Sequence, residues 1–442
     1  MSAAGASNYT LFQITKPSSG VVVRTEGKIL GFDYYESVYS PMITANVLIE
    51  DVGGTVANKK GLRGTLKDAL PIEGFEEVAF VILTATGELN FEDNPMIVTG
   101  SPMNIDSPQK QTSFIPLVSQ YAIKNANKPL DRIYPDAPIS EIVQKILLDP
   151  SLLKVPQDRL GFNATSGKYE FIEKTSNQDK VGGNNELPLD VILQLCKKSI
   201  PENGNDPGYF FFETKSGFKF QSIDGLITKG MEKFNDDSYK ETHTYSYSSA
   251  LEANLDNNKN DYKVLLAPLV RRDQDQLSSL RNGQYNVRIC TMDTLTQKYE
   301  EKVVNLLSKS NLGEKQKSPV DNNNFSKSYT YILNPGADDK GVGFDVINDP
   351  SNYEPKAHMR YGLLHSQLID IQVPCNILLE AGDVIKLQLE NITQDDKLLQ
   401  IYNEHRSGYY LILHLCHHFD TDNSYTSLTL ARDTYGLYTS KK

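Results

Sequence analysis

The densest group of side chains able to do chemistry is His414-Leu415-Cys416-His417-His418, which follows the apolar run Tyr409-Tyr410-Leu411-Ile412-Leu413. In a strand, side chains alternate between faces, so His414, Cys416 and His418 share one face. Imidazole and thiolate are the donors that hold zinc or iron. Ligands at i, i+2 and i+4 of a flat strand splay apart, however, and the sequence offers no evident fourth. The expectation is a barrel strand with mixed polar and apolar faces and no metal. The cysteines Cys196, Cys290, Cys375 and Cys416 make no CxxC pair. They are expected to be reduced thiols, mostly buried.

Other arrangements carry less. Asp256, Asn258 and Asn260 alternate like calcium ligands, but Asp261 stands where an EF-hand loop needs glycine, so a solvated loop is expected. Arg271-Arg272, beside Asp273 and Asp275, reads as a surface ion-pair patch rather than a phosphate site. Asp33 and Glu36 could be the paired carboxylates of glycoside hydrolysis. Among 56 Asp and Glu, such pairs also arise by chance. No GxSxG, HExxH, GxGxxG or Gly-Lys-Ser/Thr phosphate loop occurs. No catalytic, cofactor-binding or metal residue is assigned, no cofactor is expected, and the chain reads as a non-enzyme.

The elements around these residues are mostly strands. Residues 21–31 read as one strand, Phe32–Tyr39 continue it, and Ser40-Pro41 break it. Strands are expected at 43–51, ahead of Gly53-Gly54, and at 77–85, after a turn at Pro71-Ile72-Glu73-Gly74. More follow at 96–98 and 112–120, a spacing that suggests an antiparallel sandwich or barrel. Past residue 122 the pattern changes. Ile139, Ile142, Val143, Ile146 and Leu147 fall at i, i+3, i+4, i+7 and i+8, one face of a helix with Pro138 at its first turn. A second helix is expected over 189–198, with Lys197 and Lys198 at its negative end. Residues 175–185 read as a loop, and 208–220 as an aromatic hairpin around Lys215-Ser216-Gly217.

Strands return at 286–291, 367–373, 384–389, 408–419 and 425–431, with a turn at Glu380-Ala381-Gly382-Asp383. Residues 299–307 fit either a helix or a strand. Residues 308–327 are too polar to build a core. The fold class expected is mainly β with an α+β insert: two antiparallel β-barrel domains and a smaller α/β domain. The boundaries are 1–122 for the first barrel, 123–232 for the α/β domain, whose hairpin near 208–220 can pack back on the first barrel, and 233–442 for the second barrel, interrupted by a polar insertion at about 308–355.

The chain has 442 residues with 45 Lys and Arg against 56 Asp and Glu, a formal net charge of −11. That balance argues against a protein that grips nucleic acid through its overall charge. The 39% hydrophobic content is enough for packed cores. No apolar run reaches the ~18 residues of a membrane helix, and no secretory signal is read at Met1–Ser7, so no membrane anchor is expected.

The order of these pieces carries a resemblance. Gly27–Ala45 resembles the opening barrel of the central hub proteins of contractile-tail phage baseplates, the T-even hub being the type case. The helices at 139–147 and 187–192 and the hairpin Gly208–Phe220 look like that family's inserted α/β domain. Val373-Pro374-Cys375-Asn376, Ala381-Gly382-Asp383-Val384-Ile385, Gly408-Tyr409-Tyr410-Leu411-Ile412 and Leu428-Thr429-Leu430-Ala431-Arg432-Asp433 look like its second barrel, a pattern shared with type VI secretion spike proteins. The family often has glycine where Cys375 stands, which implies a differently built turn. The likeness covers all but the insertion.

The resemblance implies a structural protein of the virion tail baseplate, assembled in the host cytoplasm. It implies a homotrimer whose six barrels adapt a sixfold tail tube protein to a threefold central spike protein, among other baseplate proteins. DNA would pass through its channel without specific binding. A type VI secretion spike base is the related alternative, and a β-rich carbohydrate-acting enzyme the third. No channel-lining or interface residue is assigned.

Overall fold

The computed structural model describes residues 7–52, 56–57, 63–64, 66, 70–107, 110–182, 185–204, 206–247, 263–273, 275–294, 297–306, 327–333, 350–390, 402–403, 405–420 and 423–434. The described chain is mainly β. Its backbone is a 15-stranded sheet. From one end the order runs Leu269–Asp273, Gln367–Pro374, Tyr425–Arg432, Gly408–Phe419, Ile29–Ser37, Thr44–Asp51, Gln111–Ser119, Met96–Val98, Glu77–Thr84, Ser7–Lys16 and Val21–Arg24.

The two β-rich halves of the sequence are hydrogen-bonded to each other through the strand Gly408–Phe419. Its first part pairs with Val384–Leu389, from Gly408↔Leu387 to Leu411↔Val384. Its second part pairs with Ile29–Ser37, from His414↔Ser37 to Phe419↔Phe32. The changeover falls where the ladder to Tyr425–Arg432 shifts register between Ile412 and His414. An extra residue there bends a strand and lets it serve two neighbours. Apolar residues of both halves, among them Phe12, Phe32, Phe80, Ile385, Leu387 and Phe419, form one core.

The α/β part has its own core, built by the helices Ile139–Leu148 and Pro188–Lys198. Ile139, Ile142, Val143, Ile146 and Leu147 are all buried, as their helical spacing predicts. Pro188 occupies the first turn of the second helix, where its missing N–H costs nothing.

Several expectations change. Residues 21–31 are not one strand: Val21–Arg24 and Ile29–Ser37 are separated by a 3₁₀ turn at Glu26–Lys28. The Glu26 carboxylate accepts from the Phe12 N–H at 3.2 Å, and Lys28 reaches Asp51 at 3.2 Å, so polar contacts override the apolar run. The stretch 175–185 is not wholly loop, because Gln178–Val181 pairs with Tyr134–Pro138. Only Val181 of that strand is buried, so no period-two pattern announces it. Residues Tyr299–Asn305 are a strand, paired with Asn286–Asp293. The polar insertion contains the strand Lys327–Leu333 and the start of the helix Pro350–Leu364. Its remainder lies outside the described residues.

Candidate functional site

The hairpin Tyr209–Thr214 and Gly217–Ser222 joins the α/β part to the sheet, and every residue of both strands is buried. Alternation divides its side chains between two cores. Tyr209, Phe211, Phe218 and Phe220 enter the α/β core. Phe210 and Phe212 enter a second core with Val38, Val384 and Leu411. Two glycines permit the fit. A Cβ on Gly217, at φ +145°, would lie 1.9 Å from the Arg159 carbonyl oxygen, and one on Gly382, at φ +84°, would lie 2.7 Å from the Phe212 ring.

The tip of this hairpin is seated in charge. Glu36, only 2% exposed, accepts from the Tyr34 hydroxyl at 2.8 Å, the Lys215 N–H at 2.7 Å and the Ala381 N–H at 2.9 Å. One carboxylate thus holds a strand of the first β half, the hairpin turn and the Gly-Asp turn of the second half. Glu380 takes the Lys219 ammonium at 2.7 Å and the Thr214 hydroxyl at 3.1 Å, with the Ser216 hydroxyl also donating. Glu213 takes Arg159 at 2.8 Å, the Ser119 hydroxyl at 3.0 Å and the Ile43 N–H at 3.3 Å. Asp383 takes Lys233 at 2.9 Å.

The electrostatics follow from the burial. Burial first, and then the Glu380 carboxylate, push Glu36 up to about 7, against the pull of the Ala381 N–H and Lys215. Burial also works against Glu380, but Lys219 and Lys215 hold its carboxyl well below the usual range. Lys219 is pulled down by burial and lifted above its ordinary value by Glu380 and Asp383. Burial pushes His417 down to about 3 and His243 down to about 4, so both imidazoles are neutral near pH 7. Each of Glu36, Glu213 and Glu380 accepts from three donors, so the chemistry of the group is that of a clasp.

The residues singled out from the sequence fall elsewhere. His414, Cys416 and His418 do share the outward face of their strand, while His417 points into the core. Among the described residues no three His, Cys, Asp or Glu side chains are grouped to hold a metal. His418 instead meets Asp33 at 2.5 Å and stacks on Tyr425. Asp33 and Glu36 do not form a catalytic pair, because alternation puts Glu36 inside and Asp33 outside. Arg271 pairs with Asp370, as a surface ion pair should. Asp256–Asp261 lie outside the described residues. All four cysteines are free thiols, and Cys196, Cys290 and Cys375 are buried. Among the described residues no helix is long and apolar enough to cross a membrane.

The terminal Arg-Asp has a structural task. Arg432, 1% exposed, donates to Gln367 at 2.6 Å and to the Ser407 carbonyl at 2.9 Å. Asp433 meets Arg360 at 2.9 Å, and Arg360 also meets Asp224 at 2.7 Å. The sequence reading missed Glu213, Lys219 and Glu380. A charged residue in a β pattern ordinarily marks a solvent face, and nothing local distinguishes these three.

No protein-family model and no curated protein matches the sequence. Solved structures do. A tail protein from Neisseria meningitidis MC58 is similar over 96% of this chain and 97% of its own, with TM-score 0.51 and 11% identity. The 43 kDa tail protein of prophage MuSo2 from Shewanella oneidensis is similar over 97% and 99%, with TM-score 0.51 and 8% identity. This chain has a phage tail-protein fold. A type VI secretion component of E. coli is also similar, over 93% of this chain and 76% of its own, with TM-score 0.40 and 11% identity. At these identities the likeness is one of fold. Within this chain the Glu36 and Glu380 contacts tie the α/β hairpin to the sheet.

Proposed function

We propose that the chain is a structural subunit of a phage tail baseplate, its central hub. The observation that carries the reading is the end-to-end likeness to two tail proteins, with nearly all of both chains matched. In this reading residues 1–122 and 233–442 are two barrel-like modules, and 123–232 an α/β module clipped between them. Three subunits would present six such modules in a ring, fitting a sixfold tail tube protein above and a threefold central spike protein below. The role is structural rather than enzymatic, and its place is the virion tail.

Charge supports passage of a genome through such a ring. Each phosphate neutralised by a protein cation adds affinity and salt dependence, which would hold DNA in place. A chain of net charge −11 gives no such overall grip.

The test is direct. The purified chain, alone and with its phage's spike protein, is imaged by electron microscopy and sized by mass photometry. Trimeric rings with an axial hole are expected. A monomer at high micromolar concentration that stays monomeric when spike protein is added overturns the reading.

A further inference from the structure

The second β half carries a small sheet apart from the 15-stranded one, in the order Tyr299–Asn305, Asn286–Asp293 and Lys327–Leu333. One of its faces packs on the helix Pro350–Leu364, where Val287, Ile289, Met359 and Leu363 meet, with Tyr329 and Tyr331 against them. The Tyr331 hydroxyl donates to Glu354 of that helix at 2.9 Å. Among the described residues no strand pairs with the other side of either outer strand.

The two edges are built differently. Tyr299–Asn305 carries Glu300, Glu301 and Lys302 in succession, and charged side chains on an edge discourage a further strand from pairing there. Lys327–Leu333 has no charge after Lys327 and no proline. It follows Asn286–Asp293 without a bulge, from Val287↔Lys327 to Asp293↔Leu333. With Tyr329 and Tyr331 turned to the helix, alternation puts Ser328, Thr330 and Ile332 on the other face, and all three are exposed, Ile332 by 72%. An edge that is uncharged, unbulged and rich in aromatic and β-branched residues is a template for another strand.

The sequence of the strand selects its partner. Tyr329-Thr330-Tyr331 reads the same in both directions. An antiparallel strand of identical sequence, centred on Thr330, sets Thr330 opposite Thr330, Tyr329 opposite Tyr331 and Ser328 opposite Ile332. Aromatic pairs and Thr–Thr pairs stabilise a ladder, whereas like charges directly opposite destabilise it. Lys327, the only charge of the strand, faces position 333 and not another lysine. We propose that Lys327–Leu333 is a pairing surface for a second copy of this chain, joined edge to edge about a twofold axis at Thr330. Such a contact uses the same patch on both copies. It goes beyond the threefold ring of the proposed function and does not depend on it, since it joins two monomers into a dimer or two rings into a hexamer.

Sedimentation velocity of the full chain tests it. One strand edge is a small contact, so its population is read from about 1 to about 100 µM. The wild type is expected to double in mass as concentration rises. Thr330→Lys sets two ammonium groups opposite each other at the axis and should hold the mass at the undoubled value. Thr330→Glu should do the same with two carboxylates. An equimolar mixture of the two variants sets Lys opposite Glu and should restore the doubling. Because Thr330 is exposed, both variants should melt at the wild-type temperature, which separates lost pairing from lost folding. No doubling by the wild type, doubling by Thr330→Lys alone, or a mixture that stays undoubled overturns the proposal. A marked fall in melting temperature would mean that Thr330 is satisfied within the chain, which also overturns it. The ring reading is tested separately, because a variant that sediments as a trimer keeps the ring and loses only the contact between rings.

Discussion

The α/β part carries two sets of cations that are held in opposite ways. In the clasp, Lys219 is buried and the Arg159 side chain is only 12% exposed, and each touches a buried glutamate at under 3 Å. Lys124 on the helix Gln120–Asn127, Lys128 just after it and Lys154 are half-buried or exposed, and among the described residues none of them forms an ion pair. The difference follows from solvent. A charge taken out of water needs a partner, because desolvation costs several kcal/mol per ion. A charge left at the surface can stand alone at a cost of tenths of a kcal/mol. A cation without an ion pair is therefore tolerated only where its side chain keeps its water.

The largest way to break this contrast is to remove one partner of the buried pair. Lys219→Met leaves Glu380 without its closest cation in a site 7% exposed. The expected loss is about 3–5 kcal/mol, seen as a lower urea midpoint. Lys219→Met with Glu380→Met removes both charges and should recover most of that loss. Lys124→Met, which breaks no ion pair among the described residues, should shift stability by no more than about 0.5 kcal/mol. Equal losses at the two sites would abolish the distinction.

Much of this architecture was legible in the sequence and some was not, for physical reasons. Helices and strands with one apolar face announce themselves through period, as Ile139–Leu148 and Gln367–Pro374 do. The turn at Glu26–Lys28 was hidden because an apolar run on either side masked it, and the Glu26 and Lys28 contacts that form it are tertiary. The clasp was hidden more deeply. Glu36 and Glu380 are 344 positions apart, and their meeting depends on the strand Gly408–Phe419 changing partners mid-way. The outward His414, Cys416 and His418 were placed correctly by alternation alone, because which face a residue takes is a local property. Whether that face is a site is not local, and here the contact of His418 is with Asp33.

Glu36 sharpens the comparison through pH. Its folded value is raised to about 7 from an ordinary 4.5. A raised carboxyl binds its proton more tightly in the folded state. Its contribution is full below pH 4.5 and is lost as pH rises through 7. Against Glu36→Gln, the wild type should therefore lose about 2–3 kcal/mol of stability between pH 4.5 and pH 8. His243 and His417 act on the acid side, because a depressed histidine costs stability as pH falls below about 6.5. They are present in both proteins and drop out of the difference. A flat difference curve would show that the three donors to Glu36 outweigh burial and Glu380, and that the clasp holds a fixed charge.

A small effect is also expected on the outward face of the seam. Asp33 and His418 touch at 2.5 Å, but their side chains are 33% and 27% exposed. Water screens such a pair, and ordering two side chains offsets part of the attraction, so Asp33→Asn should cost under about 1 kcal/mol. It should also leave the urea slope unchanged, since no core residue moves. The same strands carry Glu36 inward and Asp33 outward, three residues apart, so the two substitutions compare inside with outside on one piece of backbone. A cost at Asp33 as large as that at Lys219 would mean that this face is covered in the assembled protein. Repeating the measurement on monomer and oligomer then separates the two cases, because a pair buried by assembly regains its weight only in the oligomer.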